Sequence, residues 1–429
     1  MELFYNAIKN GLFIYNLQAN HDGMDIAYFV WEYPPRLIGG LGTYAAEITK
    51  KFAEKGHHVE IFTMNSDSKL KTYEEIGKNI VVHRPIVADA SNIYLVFVDE
   101  ELKRWGKGFR FFSDILTYNV LAANKYVNEV AKERRCEILV SHDWLSCMAG
   151  AIAKQNLKCP FILHMHSTEH GRSGGGGSST VKELEYTAAS QADMLITVSY
   201  AMREELHALK FPAEKMRVVW NGVDEQKCSM RNFPAKKVAE YRERLGVKES
   251  EKIILFTGRL TWVKGVDSLI RAMPAIAQKV PEARLVVLGR GEQYEELVAL
   301  ANNLGVGKRI TFINKWVEED ERLTLYAASE LVVAPSRYEP FGIVALEGMA
   351  MEKPVVVGSG GLREAVIEGQ HGLYCDPNNP QSIAEQCIKI LTNAELAEKF
   401  GKNGRKRVEE HFTWDKIAND TLALYETLM

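Results

Sequence analysis

The chain has 429 residues, 46% of them hydrophobic and 25% charged. At about 100–200 residues per domain this predicts two domains and excludes disorder as the main state. Lys and Arg (53) nearly balance Asp and Glu (56), leaving a formal net charge of −3, which excludes a general nucleic-acid binder but allows a local basic site.

Six cysteines (Cys136, Cys147, Cys159, Cys228, Cys375, Cys387) form no C-x-x-C pair. A zinc ribbon or thioredoxin motif is therefore not expected, and scattered cysteines predict reduced core thiols in the cytoplasm. The longest apolar runs, such as 147–153, fall well short of the ~18–20 residues of a membrane span. Residues 1–23 show no basic n-region and no A-x-A site. They are expected to be an extension upstream of Met24 rather than a signal peptide.

From Met24 onward, short apolar runs alternate with helical patterns. In the first half the runs are 26–30, 59–63, 137–140, 160–164 and 194–198, with helices over 41–55, 113–134 and 181–190. In the second half strands are expected at 253–257, 284–288, 310–312, 331–334 and 354–357. The helices there are 267–279, 293–304, 320–327, 343–350 and 381–391. This alternation implies βαβ units, and hence two α/β, doubly wound parallel sheets facing across a cleft. The boundary is expected between Val219 and Ser250, where an Asn-Gly turn precedes a charged amphipathic stretch. The glycine-rich patch 173–180 reads as a mobile loop.

In such folds ligands bind beyond the carboxyl ends of strands, so residues just after strands carry the chemistry. After the first strand, Gly39, Gly40 and Gly42 open a helix. A loop of this kind lets backbone N–H groups approach an anion, or is simply a tight turn. Dinucleotide and P-loop orders are absent. Arg259 and Lys264, bracketed by glycines after 253–257, suit a diphosphate: Arg binds oxygens in a fork and Lys adds a point charge. Glu339 lies in a Pro-Phe-Gly turn (Pro340, Phe341, Gly342) and Glu347 on the following helix. Two carboxylates so placed could hold sugar hydroxyls. Histidines cluster after two strands, in His142-Asp143-Trp144 and in the stretch His164 to Arg172. Neither has H-E-x-x-H spacing, and no D-x-D pair occurs, so no metal is expected. Gly358-Ser-Gly-Gly361 forms a second glycine-rich loop.

Together, Gly-Gly-Leu-Gly, His-Asp-Trp, His-Ser-Thr-Glu, Gly-Arg-x4-Lys-Gly and Pro-Ser-x2-Glu-Pro-Phe-Gly-x3-Leu-Glu resemble the GT-B-fold retaining glycosyltransferases. The similarity is to family 4 and the glycogen and starch synthases, most of all to archaeal glycogen-synthase-like enzymes. The resemblance implies a glucosyl transfer from ADP- or UDP-glucose to a glucan, with no cofactor or metal. Its alternatives are another donor, such as GDP-mannose, or a lipid, sugar-phosphate or small-solute acceptor. It implies His166 beside the anomeric carbon, and Arg259 and Lys264 on the diphosphate. Glu339 falls near the donor hydroxyls, with Phe341 and Gly342 beside it, and Glu347 on the ribose. Gly39 and Gly40 would line the phosphate site, with His142, Asp143 and Glu169 on the acceptor side. It divides the chain into 24–220, 221–405 and a returning helix at 406–429. Two segments depart from the pattern: Arg36-Leu-Ile-Gly-Gly-Leu stands where Lys-x-Gly-Gly-Leu is usual, and Glu352-Lys353 where a Gly often precedes Pro-Val-Val.

Overall fold

The computed structural model describes residues 23–37, 39–65 and 68–429. All of the expected extension except Gly23 lies outside the described residues.

The first sheet comprises β1 (Asp25–Phe29), β2 (His58–Phe62), β3 (Tyr73–Ile76), β4 (Ile80–His83), β5 (Ile138–His142), β6 (Phe161–Met165), β7 (Met194–Thr197) and β8 (Met216–Val218). Their spatial order is β3-β4-β2-β1-β5-β6-β7-β8. Only the β3–β4 pair is antiparallel. The second sheet has the order β11-β10-β9-β12-β13-β14. It is built from β9 (Lys252–Thr257), β10 (Ala283–Leu288), β11 (Ile310–Ile313), β12 (Leu331–Ala334), β13 (Val355–Val357) and β14 (Gly372–Tyr374). Helices cover both faces of each sheet, so the central strands are buried on both sides. That is why they read as continuous apolar runs rather than alternating ones.

These strand orders locate the crevices. In the first sheet the chain runs from β1 outward to β2 and β4, then returns to place β5 on the other side of β1. In the second it runs from β9 out to β11 and returns to place β12 beside β9. Each reversal opens a crevice at the carboxyl ends of the flanking strands. The segments leaving β1, β5, β9 and β12 are the ones singled out from the sequence.

The chain crosses between the sheets twice, and the two crossings touch. Val223 forms an isolated parallel bridge with Thr413, and its N–H donates to Phe412 O at 2.8 Å. The helix Trp414–Glu426 then packs on the helix Gly40–Glu54. Trp414, Ile417, Leu422 and Tyr425 share one core with Tyr44, Ile48 and Phe52. Lys55 and Asp415 close its edge with an ion pair at 2.8 Å.

Several details differ from expectation. The helix expected at 113–134 begins earlier, at Lys107, and gives way at Tyr126–Val130 to a wider π turn. Strands β3, β4, β8 and β14 were not anticipated, being short and, in β3, largely exposed. The expectation of six reduced thiols is corrected for one pair. Cys136 and Cys159 form a disulfide, with Cα atoms 6.1 Å apart. They precede the adjacent strands β5 and β6, so the sheet sets their separation within the usual bridging range. The other four cysteines are free and buried. Among the described residues no helix is long and apolar enough to cross a membrane.

Candidate active site

The site begins at the second sheet's reversal. The segment leaving β9 turns at Gly258, runs through Arg259 and forms one 3-10 turn, Trp262–Lys264. It carries Lys264 to the segment leaving β12, where Lys264 Nζ donates to Glu339 Oε2 at 2.5 Å. Ser336 Oγ donates to the same oxygen at 3.1 Å. Both charged side chains are largely enclosed, where an ion pair is screened less than at the surface. Arg259 is exposed and has no hydrogen-bond or ion-pair partner among the described residues.

Glycines fix Glu339. Gly360 has φ +76°, and a Cβ there would lie 2.3 Å from Glu339 O. Gly361 N–H donates to that same carbonyl at 2.9 Å. Gly342 has φ +88°, and its Cβ would meet Leu362 at 2.4 Å. Left-handed backbone without a Cβ is glycine's territory, so the second glycine-rich loop clamps the Glu339 backbone. Phe341 is buried against Phe412 and contributes packing.

Glu347 sits on the helix Ile343–Ala350 and is largely buried. It accepts a hydrogen bond from Arg322 and one from Tyr326 Oη at 2.7 Å. Neither partner was singled out from the sequence. Both lie on the helix Glu319–Ala328, more than twenty residues upstream, and no local spacing reveals the match.

The first sheet contributes the opposing wall. Gly40 faces Ile343, where a Cβ would lie 3.7 Å from the Ile343 side chain. The glycine loop already holds an anion of its own. Gly39 N–H and Gly42 N–H donate to the two Glu32 carboxylate oxygens at 3.2 and 3.0 Å. Glu32, in the segment leaving β1, was not singled out from the sequence.

His142 ends β5 and His164 lies opposite it in register on β6. His166 follows β6 directly. His142 Nδ1 and His166 Nε2 are 3.0 Å apart, and Tyr44 Oη is 3.2 Å from His164 Nδ1. The three imidazoles offer nitrogens within 4.8 Å of one another, a grouping of the kind that can hold a metal ion. The strand register produces it, not a short sequence motif. Burial lowers the pKa of all three, His166 to about 3, so they are neutral near pH 7.

Asp143 is buried and shapes the loop. Its Oδ1 accepts from His166 N–H at 2.6 Å and Ser167 N–H at 3.3 Å. Burial raises its pKa to about 6, against the pull of Arg172 and those N–H groups. Glu169 is likewise engaged: it pairs with Arg172 at 3.3 Å and accepts from Ser178 N–H at 3.0 Å. Asp143 and Glu169 thus hold the His166 loop and the glycine-rich patch in place. The two lobes meet beside them, where Thr168 N–H donates to Tyr338 Oη at 3.3 Å.

A model of glycosyl transferases group 1 matches residues 237–407, and one of glycosyltransferase family 4 matches 38–227. An uncharacterized glycosyltransferase of Methanocaldococcus jannaschii is 35% identical over 412 residues, covering 95% of this chain and 99% of that one. This chain belongs to that glycosyltransferase family. A glycogen synthase of Mycobacterium tuberculosis is 28% identical over 410 residues, covering 94% of each chain. The sucrose-phosphate synthase structure from Thermosynechococcus elongatus superposes with a TM-score of 0.76 at 24% identity, covering 94% of this chain and 99% of that one. The fold is the GT-B arrangement, and the glycosyltransferase is an enzyme that uses a nucleotide-sugar donor.

Proposed function

We propose that the enzyme is a retaining glucosyltransferase that extends a glucan from ADP- or UDP-glucose. In this reading residues 24–220 form the acceptor lobe, residues 221–405 the donor lobe, and 406–429 the helix that ties them. The observation that carries it is the meeting of Lys264 and Glu339 at the reversal of the second sheet.

A nucleotide sugar carries two phosphates as its leaving group. As the C1–O bond to the diphosphate breaks, negative charge builds on the departing oxygens. Lys264 and Arg259 lie on the segment where fixed cations stabilise that charge more than the ground state. Glu339, freed from Lys264 by the incoming phosphate, accepts hydrogen bonds from donor hydroxyls. Glu347 accepts from the ribose hydroxyls, with Arg322 and Tyr326 fixing its rotamer. The acceptor hydroxyl forms the new C1–O bond on the face the diphosphate leaves, and its proton passes to a leaving phosphate oxygen. His166, neutral and hydrogen-bonded to His142, lines the anomeric side without titrating. Closure of the lobes excludes the water that would hydrolyse the donor. No metal is needed in this scheme, because the two cations do its work.

The reading places the enzyme in the cytoplasm. The Cys136–Cys159 disulfide is the feature that pulls the other way, since such bonds are rare there. A second reading keeps the donor site and changes the acceptor to a lipid. It is favoured by an exposed apolar group, Ile93, Val96 and Phe97, with Phe97 80% exposed. A screen of ADP-, UDP- and GDP-sugars against oligosaccharide, sugar-phosphate and lipid acceptors separates the two. Transfer to glucan supports the first reading. Transfer to lipid alone overturns it.

A further inference from the structure

Trp262 is a large aromatic side chain left half exposed beside the site, 51% by area. Its setting is rigid. Arg337 stacks on the indole with its guanidinium carbon 5.0 Å from the ring centroid. Arg337 is itself held by Asp267 at 2.8 and 2.9 Å, by Ser268 Oγ at 2.8 Å and by Trp262 O at 2.7 Å. Across the interlobe gap, Gly174 of the glycine-rich patch comes so close that a Cβ there would lie 3.0 Å from the ring.

Two hollows share this indole. One, of about 330 Å³, lies between the lobes and is edged by His170, Gly174, Glu205 and Tyr338. The other, of about 290 Å³, lies between the helices Val266–Lys279 and Tyr294–Asn303 and is edged by Arg271, Gln293, Glu296 and Asn303. Gln293 Oε1 is buried there without a hydrogen-bond partner, and buried polar atoms are normally satisfied.

We propose that Trp262 is the platform of an oligosaccharide-binding track running from the interlobe gap onto the outer face of the second lobe. The ligand class follows from the chemistry. A pyranose ring has an apolar C–H face that stacks on an indole, and a rim of hydroxyls that both donate and accept. The walls supply what that rim needs: carboxylates and the Gln293 carbonyl to accept, Arg271 and Asn303 to donate. A nucleotide or a flat apolar ligand would leave the acidic walls unmatched. The track holds the body of a chain whose end is presented for transfer. This rests on the glucan reading above and adds to it a preference for long acceptors.

The test is binding of maltoheptaose and of maltose to the full-length protein by titration calorimetry, without donor, for wild type, Trp262→Ala and Asn303→Ala. Stacking predicts maltoheptaose binding weakened about tenfold by Trp262→Ala and in the same direction, to a smaller extent, by Asn303→Ala, with maltose unchanged. Asn303 is distant in sequence from the 258–264 turn, so its effect stands if Trp262→Ala perturbs Lys264. Unchanged maltoheptaose affinity in both variants, or equal wild-type affinity for maltose and maltoheptaose, overturns the track. Donor turnover onto maltose, measured in parallel, reports separately on the function itself.

Discussion

His142 Nδ1 and His166 Nε2 share a hydrogen bond of 3.0 Å between the end of β5 and the loop after β6. It joins two histidines that burial holds neutral, with His164 packed against both. Neutral imidazoles inside and protonated ones outside make folding pH-dependent. The pKa values are depressed in the fold, so between about 3 and the ordinary 6.5 the unfolded chain binds more protons. The stability these groups allow is full above pH 6.5 and is lost as pH falls below it. Asp143, raised to about 6, and Glu185, raised to about 8, act in the opposite sense. A difference measurement removes them. Keeping one imidazole neutral at pH 5 costs about 2 kcal/mol. His164→Phe should therefore reduce the loss of unfolding free energy between pH 7.5 and 5 by up to that amount. Urea titrations at the two pH values would show it. Equal losses in wild type and variant would mean that His164 protonates freely in the fold.

Lys264 and Glu339 sit where two segments leave neighbouring strands, and the ion pair between them is intramolecular only until a phosphate competes for the lysine. Removing a fixed cation that faces developing charge typically costs about 10²–10³-fold in turnover. Lys264→Ala and Glu339→Ala are each expected to lower kcat at least about tenfold. Because each leaves a largely enclosed charge unpaired, the thermal midpoint falls, but the protein stays folded at the assay temperature. Wild-type rates in either variant would remove the pair from the chemistry.

Glu347 gives a finer test, because its two partners differ in kind. Arg322 is a charge in a largely enclosed pair, and its removal would unsettle the fold as well as the site. Tyr326→Phe removes only the 2.7 Å hydrogen bond and keeps the ring. One such bond is worth about 0.5–1.5 kcal/mol, so nucleotide affinity should fall about two- to tenfold. Calorimetric binding of ADP and UDP measures this, and kcat at saturating donor should change less than KM. An unchanged affinity for both nucleotides would place Glu347 outside the ribose site.

The parts of the site that could be read from the sequence are those that follow a strand. Arg259, Lys264, Glu339 and the glycine loops were recognisable because an apolar run and a turn mark a strand end, and α/β sheets place ligands there. The pairing of Lys264 with Glu339 was not recognisable. It depends on β12 returning beside β9 across more than seventy residues. The same holds for Arg322 and Tyr326 closing on Glu347, and for Cys136 on Cys159. Each is a contact set by which strand or helix becomes a neighbour, and composition carries no trace of that choice. Strands β3, β4, β8 and β14 escaped for a different reason: each is three or four residues long, too short to show a period.

The histidine trio makes the expected independence from metal a measurable matter. Three nitrogens within 4.8 Å are the donor type that zinc prefers, yet His142 Nδ1 and His166 Nε2 already bond to one another and Tyr44 occupies His164 Nδ1. If the transfer relies on Lys264 and Arg259 for charge neutralisation, a chelator has nothing to remove. Prolonged dialysis against EDTA should leave turnover within about twofold, since no charge that acts on the leaving phosphates is lost. Loss of activity together with zinc-dependent recovery, abolished in His164→Phe, would instead assign a bound cation to these imidazoles and shift the catalytic load from the second lobe to the first.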